Sequence, residues 1–186
     1  MKQVFKAAVL QALVVVSGGV LASEASPYAG QEVREIKSLS KSEIEGLLAG
    51  RGMGYAKAAE LNGYPGPLHV LELAEELDLS EEQVARTQEI FNLMQASAKE
   101  LGAELVAAER ALDERFWNKS IDEVSLSELT TEIGRLEAQL RAVHLQAHLR
   151  QTRLLGAEQI VRYMMLRGYG ADGDRHHHQH HHSGQR

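Results

Sequence analysis

A chain of 186 residues with 44% hydrophobic content can bury one modest core and leaves no room for a second full domain. Aromatic residues make up only 5% and there are 3 prolines, so aliphatic side chains on helices must do the packing and strands are not expected. The formal charge of −6 comes without any basic block, which argues against nucleic acid as a partner, and the absence of cysteine removes disulfides as a source of stability.

The chain opens on Lys2 and Lys6, followed by an apolar run from Ala7 to Val16 broken only by Gln11, then Ser17-Gly18-Gly19 and Val20-Leu21-Ala22. This is the pattern of a secretory signal peptide, with cleavage expected after Ala22 and a second acceptable cut after Ala25. The run is short for a bilayer core of about 30 Å and holds Gln and Gly, so a retained anchor fits less well. Residues 1–22 are therefore read as a signal peptide and the compartment as the bacterial periplasm. Residues 23–39 are polar and aperiodic, with Pro27 and Gly30, and are expected to be a flexible mature N-terminus that packs nothing.

A helical domain is expected over residues 40–170. Ser40-Lys41-Ser42-Glu43 is a capping box, and Ile44, Leu47 and Leu48 form a one-sided stripe that stops at Gly50. The Gly-rich stretch from Arg51 to Pro67 ends in the turn cluster Asn62-Gly63-Tyr64-Pro65-Gly66-Pro67, with one helical turn expected at Ala56–Leu61. Pro67 suits the first position of a helix running to about Leu77. Ser80 caps a helix of more than 30 residues, whose seam Val84, Thr87, Phe91, Met94, Ala98, Leu101, Leu105, Ala108, Leu112 advances by threes and fours. After a polar bridge, a second long helix is expected from near Ser127, with the seam Leu129, Ile133, Leu136, Leu140, Val143, Ala147. Leu155, Ile160, Tyr163 and Met164 mark a short terminal helix ending near Gly168. The fold expected is all-α: a long antiparallel helical hairpin with short flanking helices. Such a hairpin leaves an apolar side that the short helices or a second copy must cover.

Leu79-Ser80-Glu81-Glu82-Gln83 and Leu155-Gly156-Ala157-Glu158-Gln159 resemble two copies of the LTxxQ motif of the Spy/CpxP family of periplasmic proteins, which includes the metal-responsive ZraP and CnrX types. The similarity spans about Pro67 to Gly170, with Leu79, Ser80, Gln83, Leu155, Glu158 and Gln159 as the motif residues. Physically, each copy is a helix-start device: a Leu, a cap, acids in the first turn and a Gln. The second copy departs from the pattern, because Gly156 supplies no capping oxygen. The resemblance implies a cradle-shaped homodimer that acts as an ATP-independent chaperone, or as a partner of envelope stress and metal sensors. Its partners would be unfolded envelope proteins or a membrane sensor protein. A heavy-metal sensor or resistance protein and a purely structural envelope oligomer are the alternative readings.

Neither a phosphate-binding loop nor a dinucleotide fingerprint is present, so no nucleotide is expected. The serines fall at caps and loops and the acids on solvated helix faces, which leaves no catalytic constellation and no required cofactor. The methionines are not at ligand spacing. Histidine is different. His144 and His148 lie four apart, on one helix face and within reach of one divalent ion, and the resemblance to CnrX-like proteins also implies a His-x-x-x-His pair; His69 or Glu72 could add a third ligand. The alternative is two partly exposed histidines beside the seam. In the tail, residues 171–186, His176, His177, His178, His180, His181 and His182 form a solvated cluster suited to zinc, nickel or copper, interrupted by Gln179 as an affinity tag would not be.

Overall fold

The computed structural model describes residues 26–169; the signal-peptide and histidine-tail expectations fall outside these residues. Residues 26–32 make a short run of turns, in which the Ala29 N–H donates to the Ser26 carbonyl and the Gln31 N–H to that of Tyr28. From Val33 a separate unit begins. Its described part consists of helices α1 (Lys41–Leu48), α2 (Lys57–Glu60), α3 (Pro67–Glu72), α4 (Glu81–Trp117), α5 (Glu123–Leu154) and α6 (Ala157–Leu166).

Local chemistry sets the boundaries. At α1, the Ser40 hydroxyl accepts from the Glu43 N–H and the Glu43 carboxylate accepts from the Ser40 N–H at 2.7 Å; hydrogen bonding of the Ser40 side chain and backbone to the carboxylate holds it below the usual glutamate range. Pro67 takes the first turn of α3, where a missing N–H is harmless. This helix stops at Glu72, short of the expected Leu77. The chain then tightens into turns that close in a Schellman motif: Asp78 adopts φ 49°, the Leu79 N–H reaches the Ala74 carbonyl and the Asp78 N–H that of Glu75. That bend carries Leu77 into the interior and turns the chain into α4.

The two long helices form the shaft. At 37 residues, α4 is about 55 Å long at 1.5 Å per residue. The start of α5 lies at Glu123, four residues before the expected Ser127. Asp122, read as part of a polar bridge, is its cap: the Asp122 carboxylate accepts from the Ser125 N–H at 2.8 Å and from its hydroxyl at 2.6 Å. With so short a link α5 must return along α4, and the register shows it: Gln83 meets Leu154, Thr87 meets Gln151, and Leu105 shares a cluster with Leu136.

Two apolar clusters hold the unit together. One joins Ile36, Leu47, Ala98, Leu105, Val106, Leu136 and Leu140; the other joins Val70, Leu77, Leu155 and Tyr163. In the first, α1 approaches α4 so closely that a side chain at Gly102 would run into the backbone carbonyl of Leu47. The presence of Ile36 corrects the expectation that residues 23–39 pack nothing. Ile36 is fully buried, and around it Lys37 pairs with Asp113, Ser38 bonds Glu109 and Arg110 bonds Glu35. A lone isoleucine in a polar stretch carries no periodicity, but burying it against α4 and α5 offsets the ordering of a few flanking residues.

Candidate functional site

The two motif copies meet. Each glutamine sits at the third position of its helix, and its side-chain oxygen accepts from the N–H of its own cap residue, Ser80 for Gln83 and Gly156 for Gln159. The amides then face each other: Gln83 Nε2 donates to Gln159 Oε1 at 2.9 Å, and Gln159 Nε2 donates to Gln83 Oε1 at 3.1 Å. The second hydrogen of each amide goes across the fold, from Gln83 to the Leu154 carbonyl and from Gln159 to that of Leu77. Both side chains thereby use all of their donors and acceptors. The pair ties the end of α5 to the start of α4, and it explains how α6 breaks away cleanly at Gly156 without a capping side chain. Leu155 is buried in the second cluster beside α6, while Glu158 is exposed in the first turn of that helix.

Beside this pair lies a buried polar layer. His144 and His148 do share one face of α5, but that face points inward: they are 2% and 7% exposed, which corrects the reading of two partly exposed rings. His144 stacks on Tyr55 at 6.0 Å with an interplanar angle of 7°, and its Nε2 is buried without a hydrogen-bond partner. Burial first, and His148 second, push the His144 pKa down, which keeps the ring neutral. The Nδ1 of His148 lies 2.7 Å from the Tyr64 carbonyl, which can only accept, so this nitrogen carries the proton; Glu60 Oε2 is 3.7 Å from it. Glu60 Oε1 accepts from the hydroxyls of Tyr163 at 2.7 Å and Tyr169 at 3.2 Å, with Arg167 close by. Burial, reinforced by Glu60, raises the Tyr163 phenol far above the ordinary tyrosine value. Deeper still, Gln151 Nε2 donates to the Thr87 hydroxyl at 3.0 Å.

This layer does not gather a metal-ligand set. His69 and Glu72, the expected third ligands, bond each other at 2.7 Å on α3. Among the described residues no group of three or more His, Asp or Glu is arranged to hold a metal ion. The six tail histidines lie outside the described residues.

Among the described residues, no element covers the side of the hairpin away from α1. On α4 the residues facing α1 and the core are Ala98, Gly102, Leu105 and Val106; Ile90, Leu93, Met94 and Ser97 line the other side, and Leu101 packs against the core while also reaching the groove. There they form one wall of three adjoining hollows, opposite Val143, Ala147 and Leu154 of α5. Arg86, Arg150 and Arg153 surround one end, with Glu89 among them, while Glu100, Glu104 and Arg135 edge the other. The result is a groove along the shaft, in which apolar side chains alternate with Ser97, Gln139 and Gln146 between charged rims. Leu101 and Val143, expected in the seam, pack against the first cluster and also line the groove, and Met94 is a half-buried groove residue.

Sequence reasoning missed Glu60 and Gln151. Glu60 sits in a Gly-rich stretch with no pattern, but Gln151 had a signal: His144, His148 and Gln151 follow helical spacing on the flank of an apolar seam. Comparison with protein families, with curated proteins and with solved structures gives no match.

Proposed function

We propose that this chain is an ATP-independent chaperone or stress adaptor of the Spy/CpxP type, exported to the periplasm, which holds exposed segments of unfolded envelope proteins or of a membrane sensor in the groove between α4 and α5. The observation that carries this reading is the open groove itself. Leu93 is 54% exposed on its wall, and the hollows along the shaft set Ile90, Met94, Leu101 and Val143 among Ser97, Gln139 and Gln146. Exposed apolar side chains set among polar and charged ones along a continuous groove mark a binding surface. Its form suits a client of no fixed structure: the floor accepts aliphatic and aromatic side chains of varied size, and Arg and Glu on the rims accept either sign of charge. The meeting of the two LTxxQ-like motifs at the Gln83–Gln159 pair supports the family reading, because it gives both copies one shared structural task. The test is aggregation of a chemically denatured client followed by light scattering, with the chain added in increasing ratio and no nucleotide. Suppression that grows with the ratio and is unaltered by ATP is expected; scattering that is the same at every ratio contradicts the proposal.

A second reading, favoured by the charge pattern, is a homodimer closed over the same groove. The end with Arg86, Arg150 and Arg153 is basic and the end with Glu100 and Glu104 is acidic, so a two-fold axis through the middle would set opposite charges face to face. Sedimentation decides: a dimer that dissociates as client is added places both events on one surface, and a dimer that never yields to client favours a structural oligomer. Metal binding enters this proposal as an accessory of the tail, whose six histidines suit zinc, nickel or copper. Calorimetric titration of the chain with zinc should lose its signal when those six are replaced and keep it in His148→Ala.

A further inference from the structure

The groove has a direction. On α4 its lining steps by threes and fours, through Arg86, Ile90, Leu93, Ser97, Leu101 and Glu104, a rise of about 27 Å at 1.5 Å per residue. At one end Arg86, Arg150 and Arg153 outnumber Glu89. Arg86 is shared with Glu82 at 3.6 Å, and among the described residues Arg150 and Arg153 have no carboxylate at ion-pair distance. At the other end Glu100 and Glu104 stand beside Arg135, whose guanidinium is already held by Glu132 at 2.7 Å. One end therefore attracts negative charge and the other positive.

We propose that the groove takes a single amphipathic helix of about five turns, with its N-terminal end at Glu100 and Glu104 and its C-terminal end at Arg86, Arg150 and Arg153. This rests on the chaperone reading above and deepens it: the captured segment of client or sensor becomes helical as it binds. Register selects a helix, because an extended segment repeats its same-side residues every ~6.8 Å, whereas a helix repeats every ~5.4 Å, as both walls do. Hydrogen bonding selects it too. An extended segment brings a row of backbone N–H and C=O groups to each wall, and the walls are helices whose own backbone is bonded, with Ser97, Gln139 and Gln146 between the charged ends. A helix satisfies these groups internally, and its dipole, positive at the N-terminal end and negative at the C-terminal end, matches the two rims. A second copy of the chain matches the charges as well, but it sets groove against groove and leaves the hollows facing each other unfilled. The chain's own residues 170–186 hold Ala171 as their one aliphatic side chain, and on the reading above residues 1–22 leave with the signal peptide. The partner's chemistry follows: apolar side chains at every third or fourth position, Lys or Arg in the first turn and Asp or Glu in the last. Such charges oppose a helix's own dipole in water, so the segment is unfolded when free and gains its complement from the rims.

The probe is a dye-labelled peptide of about 18 residues built from Lys, Gln, Ala, Leu and Glu, with Leu at helical spacing, Lys in the first turn and Glu in the last. A control keeps the composition and the end charges but alternates its Leu as a strand would. Each is titrated with the exported chain, with anisotropy reading Kd and difference circular dichroism reading helix formation. The helically spaced peptide should bind roughly tenfold more tightly than the control and gain helical signal, and Arg150→Glu with Arg153→Glu should weaken it by roughly tenfold. Equal affinity for the two peptides, binding without a gain in helical signal, or an affinity that the two substitutions leave unchanged overturns the proposal. A dimer that sediments intact at saturating peptide overturns it in favour of a second copy. Suppression of client aggregation without any helix gain overturns the helical occupant and leaves the chaperone reading standing, while loss of both removes both.

Discussion

The two sides of the α4–α5 hairpin are built from the same seams, yet one is sealed and the other open. On the sealed side, α1, α3 and the segments around them press Ile36, Leu47 and Val70 onto the shaft, and the close approach is bought by Gly102, which leaves room for the Leu47 carbonyl. The polar groups trapped on that side are mostly bonded, through Gln83–Gln159, Gln151–Thr87 and Glu60–Tyr163. On the open side Leu93 is exposed, with arginines and glutamates at its margins and no covering element among the described residues. The contrast separates two tasks. The sealed side holds the structure and should be intolerant of change in volume or bonding; the open side contributes little to stability and is free to bind.

The largest expected effect is on the sealed side. Gly102→Ala puts a methyl into the Leu47 backbone, so α1 must move off the shaft, and the loss should reach about 3 kcal/mol in denaturant unfolding. A variant as stable as the parent would mean that α1 is not held against α4 in this way.

Next in size comes the glutamine pair. Gln83→Leu leaves the Gln159 amide without its partner and the Leu154 carbonyl without its donor, a loss of about 1–3 kcal/mol. Adding Gln159→Leu should cost much less than the single changes summed, since both halves serve one network. Strict additivity would show that the two motif copies act independently.

Acid sensitivity is smaller and tests the polar layer. The folded pKa of His144 lies below its ordinary value of 6.5, so as pH falls through that value the unfolded chain takes up a proton that the folded chain refuses. The contribution is present above pH 6.5 and is lost as pH drops toward the folded pKa, at no more than about 1.4 kcal/mol per pH unit for one proton. His144→Phe, which keeps a ring over Tyr55, should flatten the fall in stability between neutral and mildly acidic pH. An unchanged slope would assign the acid response to other groups.

The sealed side was only partly legible in the sequence, and the reason lies in helix geometry. The hairpin could be read because seams spaced by threes and fours over more than 30 residues have few other solutions. The inward turn of His144 and His148 could not, because a strict seven-residue repeat drifts by about 20° per heptad against an ideal helix. Followed from Leu136 and Leu140, that drift moves the buried face from Val143 onto His144, and on to Ala147, His148 and Gln151. Spacing placed the histidines on one face correctly, but the direction of that face depended on α2 and α3, which pack on α5 from the side. Ile36 escaped for another reason: its clue was Leu39 before the Ser40 cap and Ile44 four positions into the helix, an arrangement that fixes how a chain enters a helix. The Gln83–Gln159 contact joins residues 76 apart, so the motif showed two helix starts but not that they touch. In the groove, Met94, Leu101 and Val143 were recognised as apolar seam residues, while the side left uncovered depended on where α1 and α3 dock.

The central claim is that binding resides on the open side, and Leu93→Glu tests it most directly. This side chain lines the groove and is half exposed, so a carboxylate there should change stability by no more than about 0.5 kcal/mol. Measured against a denatured client by light scattering, the variant should lose most of its suppression of aggregation while its melting temperature stays within a few degrees of the parent's. Suppression equal to the parent's in a variant that remains folded would contradict the account and move the binding surface elsewhere on the molecule.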